Sequence, residues 1–155
     1  MWLVVFNEWK LTMSFKKILV VCVGNICRSP IGEALLQQQH PNLIVKSAGL
    51  SALVGEGADE KAIQVMDEWN VDMRSHRAQQ LTQELMQTFD LVLCMSKDQE
   101  SWIKQNYSSQ RGKVYRIGHW INENVADPYK LPIEKFYESR AVLSKAVESW
   151  KDKLA

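Results

Sequence analysis

Apolar positions along the chain fall into two alternating kinds of run. Short, nearly unbroken runs rich in β-branched residues occupy Lys17-Ile18-Leu19-Val20-Val21-Cys22-Val23, Leu43-Ile44-Val45-Lys46-Ser47-Ala48, Phe89-Asp90-Leu91-Val92-Leu93-Cys94-Met95 and Gly112-Lys113-Val114-Tyr115-Arg116-Ile117-Gly118. Such runs read as strands covered on both faces, the pattern of a parallel sheet. The segments between them read as helices. Ser29-Pro30 opens the first, with Ser29 as N-cap and Pro30 at the first helical position, and it runs through Ala34-Leu35-Leu36 to a stop before Pro41. Asp59 caps the second, with Ala62, Ile63, Val65, Met66 and Trp69 as its apolar positions. Thr82 to Thr88, and Lys97 to Tyr107 after a Ser96 cap, read as two more. Ile133 to Leu154 reads as a long amphipathic helix with Phe136, Val142, Leu143, Ala146, Val147 and Trp150 near one face.

This order predicts an α/β fold of three layers: a four-stranded parallel sheet with helices on both faces and right-handed crossovers. Ligands in such folds sit beyond the carboxyl ends of the strands. The first strand ends at Cys22-Val23-Gly24. Composition adds little: 46% hydrophobic, 24% charged and a net charge of +1. That charge supplies no global attraction for nucleic acid or an anionic membrane. Three cysteines, Cys22, Cys27 and Cys94, make an odd, small set. They do not read as a secreted disulfide framework, and a cytoplasmic location is expected. The three histidines, at 40, 76 and 119, are scattered, with no ligand spacing for a metal. Neither metal nor cofactor is expected.

The chemistry concentrates in Cys22-Val23-Gly24-Asn25-Ile26-Cys27-Arg28-Ser29-Pro30, a strand that runs through a tight loop into a helix N-terminus. Successive N–H groups of such a loop can turn inward around an anion, and the helix dipole adds positive charge there. Arg28 supplies a planar fork matched to two phosphoryl oxygens. The same fields favour a thiolate on Cys22. Gly24 permits backbone geometry that a side chain would block. Asn25 tolerates a left-handed conformation and can tie the loop to its surroundings. Ser29 can also donate its hydroxyl to the Cys22 sulfur. Without this context Cys22 would read as an inert strand cysteine. By itself, Asp127-Pro128 would read as a turn.

The segment resembles the low-molecular-weight protein tyrosine phosphatases, whose signature Cys-x-Gly-Asn-x-Cys-Arg-Ser-Pro is matched at every fixed position from Cys22 to Pro30. The resemblance extends over Ile18 to Leu154 and takes in Ser47-Ala48-Gly49, His76-Arg77, Asp90 to Met95 and Asp127-Pro128-Tyr129. Gly118-His119-Trp120 looks most like the bacterial members encoded with capsule and exopolysaccharide export systems. The resemblance implies that Cys22 is the nucleophile, Arg28 the phosphoryl ligand and Asp127 the general acid. Val23, Gly24, Asn25, Ile26, Cys27 and Ser29 would form the substrate cradle, with Leu53 and Tyr129 beside the substrate ring. Ser47 and His76 would brace the loop, although His76 reads equally as a solvated loop histidine. Cys27 is either a disulfide partner that shields Cys22 or a packed thiol. Leu53 stands where many relatives carry tryptophan. Lys130 follows Tyr129 where eukaryotic members carry a second tyrosine. The implied partner is a phosphotyrosine protein, in particular a membrane tyrosine autokinase, met by a monomer or weak dimer with no nucleic acid and no membrane insertion. Rival readings are a thioredoxin-coupled arsenate reductase, a sugar-phosphotransfer domain and a phosphotyrosine-binding module. The first needs relay cysteines after the third strand, where only Cys94 lies.

Residues 1–12 stand outside this pattern. The run Trp2-Leu3-Val4-Val5-Phe6 is too short for a signal peptide or membrane span. Met13-Ser14-Phe15-Lys16-Lys17 leads directly into the first strand. Residues 1–12 are therefore expected to be an appended or mis-started tail on a single phosphatase domain of residues 13–155. Intact-mass measurement on protein from its native cell should find a chain beginning at Met13. A mass that includes Met1 would refute this.

Overall fold

β1, Lys17–Cys22, is the centre from which the fold is built. The structure, a computed structural model, describes residues 15–154, so the expected tail at 1–12 and the boundary at Met13 lie outside it. Along the chain follow α1 (Arg28–Gln39), β2 (Ile44–Gly49), α2 (Glu60–Asp67), α3 (Gln83–Thr88), β3 (Leu91–Cys94), α4 (Lys97–Asn106), β4 (Val114–Arg116) and α5 (Ile133–Trp150). The strands form one sheet in the order β2-β1-β3-β4, and every pairing is parallel. Cys22 at the end of β1 pairs with Gly49 at the end of β2, and Cys94 pairs with Arg116.

Side-chain alternation divides the core between the two faces of the sheet. Ile18, Val20 and Cys22 point to one face, packed with Ile31 and Leu36 of α1 and Phe136, Leu143 and Trp150 of α5. Leu19, Val21, Val92 and Cys94 point to the other, against Met86 of α3 and Ile103 of α4. Gly32 lets α1 approach the sheet, since a Cβ there would lie 3.1 Å from Val20 Cγ1. Asp59, Thr82 and Ser96 cap α2, α3 and α4 through their side chains. Among the described residues no helix is long and apolar enough to cross a membrane.

The elements differ from the sequence expectation at several ends. The first helix begins at Arg28 with Cys27 as its N-cap and no side-chain capping bond. Ser29 is already helical and its hydroxyl is used elsewhere. The fourth strand is only Val114–Arg116, because Ser108–Lys113 winds into a 3₁₀ turn. Lys113 Nζ there donates to the carbonyls of Met86 and Phe89 at 2.9 and 2.8 Å, closing the C-terminus of α3. The third strand loses Asp90, whose carboxylate accepts the N–H groups of Lys16 and Lys17. Trp69 falls beyond the end of α2, with the Arg140 guanidinium 4.1 Å from its ring centroid. The last helix ends at Trp150 and continues as a 3₁₀ turn.

Trp150 is fully buried and its Nε1 donates to the Ile117 carbonyl at 2.7 Å. Trp150→Ala removes this bond and leaves a large cavity under β4. It should lower stability by about 3–5 kcal/mol, read as an earlier urea midpoint with an unchanged slope.

Candidate active site

The loop between β1 and α1 is shaped from below by Asn25. Its backbone takes φ 60°, the left-handed region, and its side chain is fully buried. Asn25 Nδ2 donates to Ser29 Oγ at 2.7 Å and to Ser47 Oγ at 2.9 Å. Its Oδ1 accepts the Gln79 N–H at 2.9 Å, and its carbonyl accepts His76 Nε2–H at 2.6 Å. Ser47, on β2, donates its own hydroxyl hydrogen bond to Glu33 Oε1 at 2.5 Å. The order of donors leaves the Ser29 hydroxyl hydrogen for one partner, Cys22 Sγ, 3.0 Å away. The Asn25 N–H also donates to that sulfur, at 3.3 Å. Two donors thus converge on Cys22 Sγ, an arrangement that favours negative charge on sulfur. The first-turn N–H groups of α1 lack a side-chain cap, which leaves them for an anion.

Arg28 is 4% exposed and opens onto the same space. Its Nη1 donates to the Val125 carbonyl at 2.8 Å, and its Nη2 lies 3.6 Å from Asp127 Oδ2. Its Nε is buried and has no hydrogen-bond partner among the described residues. Asp127 is about half exposed and its Oδ1 accepts the Tyr129 N–H at 3.1 Å, an Asx turn that aims the carboxylate. Together these residues border a pocket of about 180 Å³. Cys22 and Arg28 lie deep, while Val23, Leu53, Tyr129 and Asp127 stand partly exposed at the rim. Gly24, Ile26, Cys27 and Ser51 complete the lining.

The family model of the low molecular weight phosphotyrosine protein phosphatases matches residues 17–155. The chain belongs to this family. It is 45% identical over 137 residues to the low molecular weight protein-tyrosine-phosphatase Wzb of Escherichia coli K12, covering 88% of this chain and 93% of that protein. The phosphatase Ptp of Acinetobacter johnsonii is 44% identical over 138 residues, covering 89% and 97%. The solved structure of Vibrio vulnificus Wzb in complex with benzylphosphonate superposes with a TM-score of 0.87 at 43% identity, covering 90% of this chain and 99% of that one. This chain is therefore a protein-tyrosine-phosphatase of the Wzb type.

Within the phosphatase, the residues expected from sequence come together, with two changes of place. Asn25 and Ser29 are fully buried beneath the loop and do not line the pocket, so their side chains brace it from below. Ser29 serves the sulfur and not the helix end. Sequence reasoning missed Ser51 in the wall, and Glu33, Gln79 and the Val125 carbonyl in the support. Glu33 carried a signal, since it lies four residues after Ser29 on the same helix face. Cys22, Cys27 and Cys94 are all free and buried. Burial, reinforced by the Asp59 charge, pushes the Cys27 thiol far above its ordinary range, and burial pushes Cys94 up to about 12.

A raised thiol pKa means that Cys27 and Cys94 stay protonated and slow to react near neutral pH. Iodoacetate at pH 8 should therefore alkylate Cys22 in the native protein and spare the other two, as read by peptide mass mapping. Comparable labelling of Cys27 would contradict this.

Proposed function

We propose that the phosphatase hydrolyses phosphotyrosine in two steps through a phosphocysteine. In the first, the Cys22 thiolate attacks phosphorus, the bond from phosphorus to the phenolic oxygen breaks, and the Asp127 carboxyl gives its proton to the departing phenolate. In the second, Asp127 takes a proton from water, the water oxygen attacks phosphorus, and the thiolate leaves with Ser29 as hydrogen-bond donor. Inorganic phosphate is released. Arg28, through Nε, and the loop amides of residues 23, 24 and 26–28 hold the equatorial oxygens in both steps. Asn25, Ser47 and His76 keep the loop in shape. The observation that carries this reading is the convergence of Ser29 Oγ and the Asn25 N–H on Cys22 Sγ in the pocket that also holds Arg28 and Asp127.

The walls support an aromatic phosphoester. Val23, Ile26, Leu53 and Tyr129 offer apolar surface and one ring face to a phenyl group. Cys94, buried and held within β3, is poorly suited to the relay that arsenate reduction needs. A phosphotyrosine-binding module would have no use for Asp127 beside Arg28. The physiological substrate we infer is the phosphotyrosine tail of a cytoplasm-facing membrane tyrosine autokinase in polysaccharide export.

Turnover of p-nitrophenyl phosphate in EDTA tests the mechanism. The wild type should be active. Cys22→Ser should be inactive, and Asp127→Ala should lose on the order of a hundred-fold or more. Unchanged activity in Cys22→Ser would discard the cysteine mechanism. Phosphopeptide binding without turnover by the reduced wild type would favour the binding module.

A further inference from the structure

Arg116 closes β4 and is 6% exposed, yet no carboxylate pairs with it among the described residues. Its Nη1 donates to Asn124 Oδ1 at 2.9 Å and its Nη2 to Asn122 Oδ1 at 3.0 Å. A buried cation served by amide oxygens alone is costly to keep. Both amides belong to the turn that leads to Asp127. That turn is tight: Ile121 and Glu123 donate their N–H groups to the Gly118 carbonyl, and Asn122 takes φ 51°. A Cβ on Gly118 would lie 2.1 Å from the Glu123 carbonyl oxygen, so glycine is required there. Asn124 Oδ1 also accepts the Lys97 N–H at 3.2 Å, which ties the turn to the start of α4.

From Asn124 onward the chain is fixed residue by residue. The Val125 N–H donates to the Met95 carbonyl at 2.8 Å, and the Val125 carbonyl accepts Arg28 Nη1 at 2.8 Å. The Ala126 carbonyl accepts Ser139 Oγ at 3.2 Å. Asp127 comes next. We infer that Arg116 is a positioning residue for the reaction: by gripping Asn122 and Asn124 it holds the Asp127 carboxyl at proton-transfer distance from the leaving oxygen. Arg116 lines no part of the pocket and touches no substrate. Its effect reaches the chemistry through three residues of backbone. The inference rests on the reading of Asp127 as general acid.

Leaving-group dependence separates positioning from plain stabilisation. Phenolate needs a proton as it departs, whereas 2,4-dinitrophenolate departs without one. The experiment compares kcat/KM for phenyl phosphate and 2,4-dinitrophenyl phosphate in wild type, Arg116→Met, Arg116→Lys, Asn124→Ala, Asp127→Ala and the double variant Arg116→Met/Asp127→Ala. Thermal melts confirm that each variant is folded. Arg116→Met should lose about ten-fold on phenyl phosphate and less than about two-fold on the dinitrophenyl ester. Asn124→Ala should show the same selective loss, and Arg116→Lys should recover part of it. In the Asp127→Ala background, Arg116→Met should add less than about a further two-fold. Equal losses on both esters, no loss on either, or an undiminished loss in the Asp127→Ala background would overturn the inference. Should Arg116→Met fail to fold, Asn124→Ala decides by the same criteria. An Asp127→Ala variant that loses equally on both esters would instead overturn the acid assignment, an outcome read without any Arg116 variant.

Discussion

The buried carboxamide of Asn25 is the joint on which the site depends. One residue in a left-handed conformation uses its N–H, its carbonyl and both ends of its side chain on five partners: Cys22, His76, Ser29, Ser47 and Gln79. A buried polar network with every group satisfied admits few alternative arrangements, because each unpaired member would be expensive. The direction of its bonds matters as much as their number. With both Nδ2 hydrogens given away, the two serines are acceptors toward Asn25 and must donate outward, one to Glu33 and the other to the sulfur. The electrostatic setting of the Cys22 sulfur is thus fixed by residues that lie beneath the pocket and outside its lining.

The sheet anchors that joint. Cys22 is the last residue of β1, with its side chain on the face covered by α1 and α5, while Val23 beside it is partly exposed. The Cys22 sulfur therefore stands where the packed core ends and the pocket begins. The phosphate loop starts from a strand paired on both sides and ends in a helix seated on that strand through Gly32. Neither end of the loop is free to drift.

Much of this was legible in the chain. The unbroken runs at 18–22 and 91–94 read as central strands because both faces of a parallel sheet are covered, and the side-chain caps at Asp59 and Ser96 stood where local rules put them. The errors have a common origin, since local chemistry was outbid by distant partners. Ser29 before Pro30 satisfies every rule for a cap, yet Asn25 and Cys22 claim its hydroxyl. Lys113 looked like strand until α3 needed its ammonium. Arg28 and Asp127 lie ninety-nine positions apart, and no periodicity joins them. Only the wider family resemblance, which takes in Asp127-Pro128-Tyr129, did so. Gln79 and Arg116 carried no signal at all, because their roles exist only once the loops are folded against one another.

The bond from Arg28 to the Val125 carbonyl spans 97 residues of sequence. Most of the residues that shape the loop after β1, from Cys22 to Gln79, lie in one stretch of the chain, whereas the Val125 carbonyl and the Asp127 carboxylate come from a later one. The two halves of the chemistry are thus inherited through separate stretches of sequence that meet at one arginine. On the proposed mechanism, a substitution in the later stretch that keeps the Val125 carbonyl on Arg28 changes how a leaving group departs and leaves the anion cradle as it is. A fold divided in this way can change its clientele while its central reaction stays intact.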